Sequence, residues 1–262
     1  MVVSTGKYRR VDAFPPLVRG TRNHLVAALH GMEAADLIAA ATPVTWQAGQ
    51  VLLTAEQAIQ TLWFPDTAIA AVVERRSNGT RTQIGMIGCE GVIGWQALFG
   101  AGSAGHGVLV DMAGGTAHAV PVEVVRAACA RSQRLCALLL AYVHSFTAQI
   151  GCAVTSTLRD GIDRRLSRWL LMFHDRVEGD ELALTHHHLA DLLQVRRASI
   201  TDCLHVLEGE RLVRCTRGRI VIRDRSGLQA RAGEGYGTPE RLYHERVGPF
   251  GKAADGAEGE PG

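Results

Sequence analysis

Residues 185–207, THHHLADLLQVRRASITDCLHVL, constrain the chain more than any other stretch. Leu189, Ala190 and Leu193 fall on one apolar edge of a first short helix, and Val195 stands at a corner. Ile200, Cys203, Leu204 and Leu207 then recur at helical spacing on a second helix. Ala190 is small where two such helices would cross closely. This is the pattern of a helix-turn-helix, whose second helix lies in the major groove of DNA. Gln194 occupies the corner, where glycine is common, and apolar spacing by itself is shared with any helical hairpin.

The residues that follow sharpen the reading. Glu208-Gly209-Glu210-Arg211-Leu212 closes the second helix, and residues 213–222, VRCTRGRIVI, read as two short strands turning near Arg217-Gly218. That is a β-wing, with Arg214, Arg217, Arg219 and Arg223 on or beside it. Eight arginines stand against four acids between Arg196 and Arg225, an excess of +4 in a chain of net charge +2. Arginine clustered on a helix start and a hairpin suits phosphate contact. A merely solvated face would mix the signs more evenly.

Roles follow from position. Arg197 opens the second helix, where it can bond guanine O6 and N7 together. Ala198 can at most touch a thymine methyl. Asp202, one turn on, can accept from a cytosine amino group or pair with Arg196 or Arg197. His205 lies on the same outward side. Arg196, Ser199, Thr201, Arg217 and Arg219 are placed for phosphate, which orients without specifying sequence.

At 262 residues and 47% hydrophobic content, the chain can bury a sizeable core and fits two domains. No apolar run of membrane-spanning length is expected, and the opening MVVSTGKYRR lacks the apolar core of a signal peptide, so the expected location is cytoplasmic. Six cysteines (Cys89, Cys129, Cys136, Cys152, Cys203, Cys215) are spread without a C-x-x-C pair. That spacing argues against a zinc knuckle, an iron–sulfur cluster or a disulfide framework. His186-His187-His188 invites a metal reading, but adjacent helical residues point about 100° apart. A helix start near phosphate, with Thr185 as N-cap, is the preferred role. Neither metal nor cofactor is expected. Glu90 and Asp111 have no evident nucleophile or acid beside them, and Ser103 lacks a strand–turn–helix frame. The chain does not read as an enzyme.

Taken in order, residues 1–22 read as a loose leader. Residues 23–41 read as helical, through Leu25, Leu29, Met32, Leu37 and Ile38, with a break at Gly31. Between 44 and 120, short apolar runs alternate with turn residues. Asn78-Gly79 is a hairpin signal, and the whole suggests a small antiparallel roll or barrel. Residues 121–130 read as a short helix with Pro121 in its first turn, and a long helix spans 133–158. Leu135, Leu139, Tyr142, Phe146 and Ile150 lie along one side of that long helix, with almost no charge between Arg134 and Arg159. So apolar a helix must be covered on more than one face, either by the chain's own core or by pairing with the same helix of a second copy. Trp95, Leu98 and Phe99 follow the Gly91–Gly94 turn as either core filling or a lid over an apolar pocket. Residues 229–262 read as a largely disordered tail, with one more short helix near 236–247.

The order helix, β-roll, long apolar helix, winged helix resembles the Crp/Fnr family of bacterial transcription regulators, across roughly residues 23–228. The residues that carry it are Gly49–Val51, Phe64, Gly79 and Gly88-Cys89-Glu90-Gly91 to Gly94 in the roll, and Arg164-Arg165-Leu166-Ser167-Arg168-Trp169-Leu170-Leu171 ahead of the motif. Leu184-Thr185, Leu189-Ala190, Arg197 to Leu207 and Gly218-Arg219-Ile220 complete it.

The resemblance implies an α+β fold: a jelly-roll-like sensory roll over 23–132, a dimerisation helix over 133–158 and a winged helix-turn-helix over 159–228. It further implies a homodimer on double-stranded DNA with two half-sites and an effector near Glu90, Gly91, Gly94 and Trp95, with RNA polymerase as a candidate partner. Members that bind cyclic AMP use an Arg-Ser or Arg-Thr pair where this chain has Gly102-Ser103-Ala104-Gly105-His106-Gly107. No Arg or Lys stands between Arg81 and Arg126, and a buried phosphate without a cation is costly. Cyclic AMP is therefore not the expected effector. Where many members show Arg-Glu then Arg on the recognition helix, Arg197, Ala198 and Asp202 stand here, so a different operator is expected. The alternative is a ligand-binding module whose winged helix contacts protein.

Overall fold

The computed structural model describes residues 21–28, 35–75, 77–110 and 114–252. The readings for residues 1–20, Leu29, Gly31, Met32, Asp111 and residues 253–262 fall outside these. The chain forms two compact units, one of residues 1–73 with 86–140 and one of residues 74–85 with 141–262.

The first unit holds α1 (His24–Ala28), α2 (Ala35–Ala40), β1 (Thr42–Trp46), β2 (Val51–Leu53), β3 (Thr61–Pro65), β6 (Gly107–Val110), β7 (Gly115–Pro121) and α3 (Val122–Arg131). It also holds most of β4 (Ala70–Arg75), the end of β5 (Arg81–Ile87) and the start of α4 (Gln133–Arg159). Two antiparallel sheets form, in the orders β1-β7-β3 and β2-β6-β4-β5. Asn78-Gly79 turns the chain between β4 and β5, and Asn78 Oδ1 accepts from the Thr80 N–H at 3.0 Å. Strand β1 is absent from the sequence reading because Pro43 looks like a breaker. It is an edge strand, where a missing N–H costs little. Pro121 ends β7 and precedes α3 as its N-cap, rather than lying in its first turn.

The core of this unit is built largely from continuous buried runs, as in β3 and β4. Trp46 and Trp63 meet edge to face, with centroids 6.3 Å apart. The fully buried Asn23 donates from Nδ2 to the carbonyls of Pro65 and Gly91, both at 2.9 Å, which fixes α1 to β3 and to the turn after β5.

The second unit holds α5 (Ile162–His174), β8 (Glu181–Leu182), α6 (His186–Leu193), α7 (Arg197–Gly209), β9 (Val213–Thr216), β10 (Arg219–Ile222), α8 (Arg225–Ala232) and α9 (Thr238–Arg246). The wing is three-stranded, β8-β10-β9. Strand β8 was not foreseen, since two residues carry no alternation to detect.

The tail reading needs correction over its described part. Residues 225–252 are helical for most of their length and anchored by a buried polar cluster. Arg225 Nη2 donates to Asp175 Oδ1 at 2.6 Å, and Tyr236 Oη donates to Asp175 Oδ2 at 2.7 Å. Arg225 Nη1 lies 3.0 Å from His174 Nδ1; a guanidinium only donates, so Nδ1 accepts. His174 Nε2 then carries the proton and donates to Asp180 Oδ1 at 2.9 Å. Arg168 Nε donates to the Gly235 carbonyl at 2.9 Å, and Phe250 lies against Tyr243 and Arg176. The Gly- and acid-rich composition hid this, because the partners lie far away in sequence.

Two expectations for α4 also change. By length and composition alone it is apolar enough to cross a membrane, contrary to the sequence reading. It also buries polar groups, Ser145, Gln149 and Ser156, within the chain. Leu135, Leu139, Tyr142 and Phe146, read as the pairing face, are at most 2% exposed in the single chain, and Ile150 is half-buried. The exposed stripe is instead Ala137, Leu140, His144, Thr147, Gly151, Val154 and Leu158, in unbroken 3-4 spacing. Periodicity fixed a helix with two apolar sides, but burial decides which side the chain keeps for itself.

Replacing Arg225 with Met leaves Asp175 buried without its cation, and should cost about 3–5 kcal/mol in urea unfolding; a loss below about 1 kcal/mol would refute the anchoring role. Burial, with the Lys252 and Arg225 charges, outweighs Asp180 and holds His174 below the usual histidine range. The unfolded chain therefore takes up this proton first. Stability should fall as pH drops from the ordinary histidine range through the depressed native value. The hydrogen bond from His174 lowers Asp180, which acts in the same direction at lower pH. A pH series of urea midpoints, compared with His174→Gln, reads this slope.

Candidate nucleic-acid interface

Helix α6 opens at Thr185, whose hydroxyl accepts from the His188 N–H at 3.1 Å, a cap worth about 1 kcal/mol. It ends at Gln194, which adopts a left-handed conformation (φ 55°, ψ 46°) and returns its Nε2 to the Asp191 carbonyl at 2.6 Å. The corner thus takes the glycine-like geometry with a residue that bonds locally. Arg165 Nη2 donates to the Leu193 carbonyl at 2.8 Å, supporting the corner from α5. Ile200, Leu204 and Leu207 of α7 are fully buried. The opposite side presents Arg197, Ala198, Asp202, His205 and Val206 to solvent.

A groove of about 480 Å³ runs between the start of α6, the outer side of α7 and the wing tip. Thr185, His186, Arg197, His205, Thr216 and Arg217 are among its walls. Gly218 (φ 74°) makes the wing turn between the paired residues Thr216 and Arg219. Cys215 donates its N–H to Glu208 Oε1 at 2.9 Å, which joins the wing to α7. Burial, then the Glu208 charge, pushes the Cys215 thiol up to about 11, so it stays protonated in the groove wall.

The residues expected at DNA divide into three groups. Arg196, Arg197, Ala198, His205 and Arg217 are exposed and Ser199 is half-buried; none of Arg196, Arg197, His205 and Arg217 is in an ion pair among the described residues. Asp202 is exposed too, and the suggested pairing with Arg196 or Arg197 is not formed. Thr201 and Arg219 are already engaged. Thr201 Oγ1 donates to the Arg197 carbonyl at 3.1 Å and so accepts from His186 Nδ1 at 2.9 Å. Arg219 Nη1 pairs with Glu181 Oε1 at 2.8 Å across β8 and β10. Val206, half exposed on the same side, escaped the sequence reading. Its position one turn past Asp202 was the available signal.

The three histidines go separate ways. His186 bonds Thr201, His187 lies 3.5 Å from Asp191, and His188 meets the Phe173 ring edge to face. Burial first, then the neighbouring Arg197 and His205, hold His186 below the usual histidine range.

In the roll, Glu90 is buried and its Oε2 accepts from the Gly88 N–H at 3.0 Å. The Gly91 carbonyl accepts from Asn23. Gly94 has φ 87°, and a Cβ there would meet the Thr61 carbonyl at 3.0 Å. Trp95 is half-buried against Phe99, which is itself 57% exposed. Arg126, the first cation after Arg81, donates from Nε and Nη2 to the Ala97 carbonyl and from Nη1 to Glu123.

An antiparallel roll is followed along the chain by a long helix and a winged helix-turn-helix. Residues 164–231 match the family of Crp-like helix-turn-helix domains. Among solved structures, FixK2 of Bradyrhizobium japonicum superposes with a TM-score of 0.61 at 16% identity, covering 74% of this chain and 98% of its own. A CooA mutant of Carboxydothermus hydrogenoformans gives 0.59 at 10% identity, covering 86% and 98%. CLP of Xanthomonas campestris, described as a global regulator responsive to c-di-GMP, gives 0.57 at 12% identity, covering 71% and 96%. No curated protein matches by sequence. Residues 164–231 thus form a Crp-like helix-turn-helix domain by their sequence, and the chain shares the fold of these solved structures.

Proposed function

We propose that this chain is a transcription regulator that acts in the cytoplasm as a homodimer on a two-half-site operator, controlled through its roll by an effector other than cyclic AMP. The observation that carries the DNA reading is the groove at the start of α7, with Arg197 on one wall and Arg217 of the wing on the other. Arg197 reads a base pair, and Arg196, Ser199 and Arg217 hold phosphates. Thr201 and Arg219 contribute less, because each already has a partner within the chain. The dimer reading rests on the heptad stripe of α4, where Leu140, Val154 and Leu158 are 40%, 56% and 78% exposed and Gly151 leaves open space for close approach. An effector without a phosphate suits the roll: residues 82–125 contain no cation, and Arg126 is occupied.

Arg197→Ala should relax preference at one base pair per half-site, losing about 1–3 kcal/mol of discrimination. Arg217→Ala should weaken binding to every sequence and flatten the salt dependence by roughly one phosphate contact. Binding to a panel of operator variants at several salt concentrations separates the two. Equal loss on all variants for Arg197→Ala would remove it as the base reader.

Leu140→Glu with Val154→Glu should convert dimer to monomer in sedimentation while helix content is kept, since both positions face solvent in the single chain. A wild-type protein already monomeric at micromolar concentration would overturn the dimer.

A further inference from the structure

His186 has one ring nitrogen committed and the other open. The Thr201 hydroxyl gives its hydrogen to the Arg197 carbonyl at 3.1 Å, so it accepts from His186 Nδ1 at 2.9 Å. A neutral ring is thereby held as the Nδ1–H tautomer, with its lone pair on Nε2. Nε2 has no partner among the described residues. The ring is part of the wall of the groove between α6, α7 and the wing. The charged and titratable groups that share this wall are His187 from its own helix, Arg197, His205 and Glu208 from α7, and Cys215 and Arg217 from the wing. Glu208 is turned to the Cys215 N–H at 2.9 Å, the Cys215 thiol stays protonated, and His187 lies 3.5 Å from Asp191. Helix α5 meets α6 elsewhere, through Phe173 against His188 and Arg165 at the Leu193 carbonyl.

We propose that His186 takes up a proton when the groove takes duplex DNA, and that the imidazolium so formed binds a phosphate through Nε2. The inference rests on the DNA reading above and adds the regulation of that site by pH. In the free chain, burial and then Arg197 and His205 keep the ring neutral at neutral pH. A phosphate oxygen offers only lone pairs, and so does a neutral Nε2, so the two repel unless a proton lies between them. With that proton the contact becomes a charge-assisted hydrogen bond, of the stronger kind. The proton comes from solvent; an N–H bond forms at Nε2, none breaks in the protein, and each protomer gains one positive charge. The ring therefore holds its proton more tightly in the complex than in the free chain. DNA binding is strongest below the free-chain value. It weakens by up to about tenfold per pH unit as pH rises from that value to the one in the complex. Above both values the Arg197 and Arg217 contacts remain.

The test uses the intact protein and a duplex of random sequence at low salt, because phosphate contacts do not depend on sequence. Calorimetry near neutral pH, in buffers of different ionisation enthalpy, counts the protons taken up on binding. His186→Gln should remove up to about one proton per protomer from the wild-type count and flatten the pH dependence to match. Glutamine can still donate to the Thr201 hydroxyl, so binding at high pH should stay close to wild type. His187→Gln should leave the count unchanged. Nitrogen-15 NMR of the wild-type His186 ring, which needs no variant to fold, should show the Nδ1–H tautomer in the free chain and both nitrogens protonated in the complex. A ring already charged in the free chain at neutral pH, a ring still neutral on DNA, or an equal proton count for His186→Gln overturns the proposal and leaves the DNA reading standing. A chain that binds no duplex at any pH overturns both.

Discussion

One helix of 27 residues, with its only Arg side chains at its two ends, sets the terms for the rest of the chain. Between Arg134 and Arg159 it carries no Asp, Glu, Lys or Arg, so it is poorly suited to stand alone in solution. One side disappears into the chain through Leu135, Leu139, Tyr142 and Phe146. The other side repeats every three and four residues and stays uncovered in the single chain. That uncovered side is the one the proposed dimer would use.

The DNA-facing unit was legible from the sequence because its signals are local. Helical spacing at Leu189, Leu193, Ile200 and Leu204, a tight turn at Arg217-Gly218 and an arginine excess all lie within one short stretch. The roll was legible for a similar reason, since Asn78-Gly79 and the short apolar runs mark its strands. What escaped depended on distant partners. Strand β1 is stabilised by pairing with β7, seventy residues on, and Pro43 speaks against it locally. Strand β8 exists only because β10 accepts it.

The site residues divide along the same line. That Arg197, Ala198 and Asp202 face outward follows from helical phase, which the sequence contains. That Arg219 is paired with Glu181 does not, because the pairing needs the third strand of the wing. Thr201 is similar: its hydroxyl is taken by the Arg197 carbonyl and by His186, fifteen residues earlier. The residues read as the pairing side of α4 are buried within the single chain, because two apolar sides of one helix look alike until the rest of the chain chooses between them.

The cluster of His174, Asp175, Arg225 and Tyr236 has a further consequence for modularity. The matched DNA-binding domain ends at residue 231, yet the groups that satisfy Asp175 extend to Tyr236 and the backbone of Lys252. A fragment cut at the edge of the recognisable motif would keep Arg225 but lose the Tyr236 hydroxyl and the Lys252 N–H that also bond Asp175. The exchangeable module, for grafting onto another sensor or for study in isolation, therefore runs about twenty residues past the part that resembles its relatives. A segment that reads as dispensable by composition is part of the foundation of the domain that meets DNA.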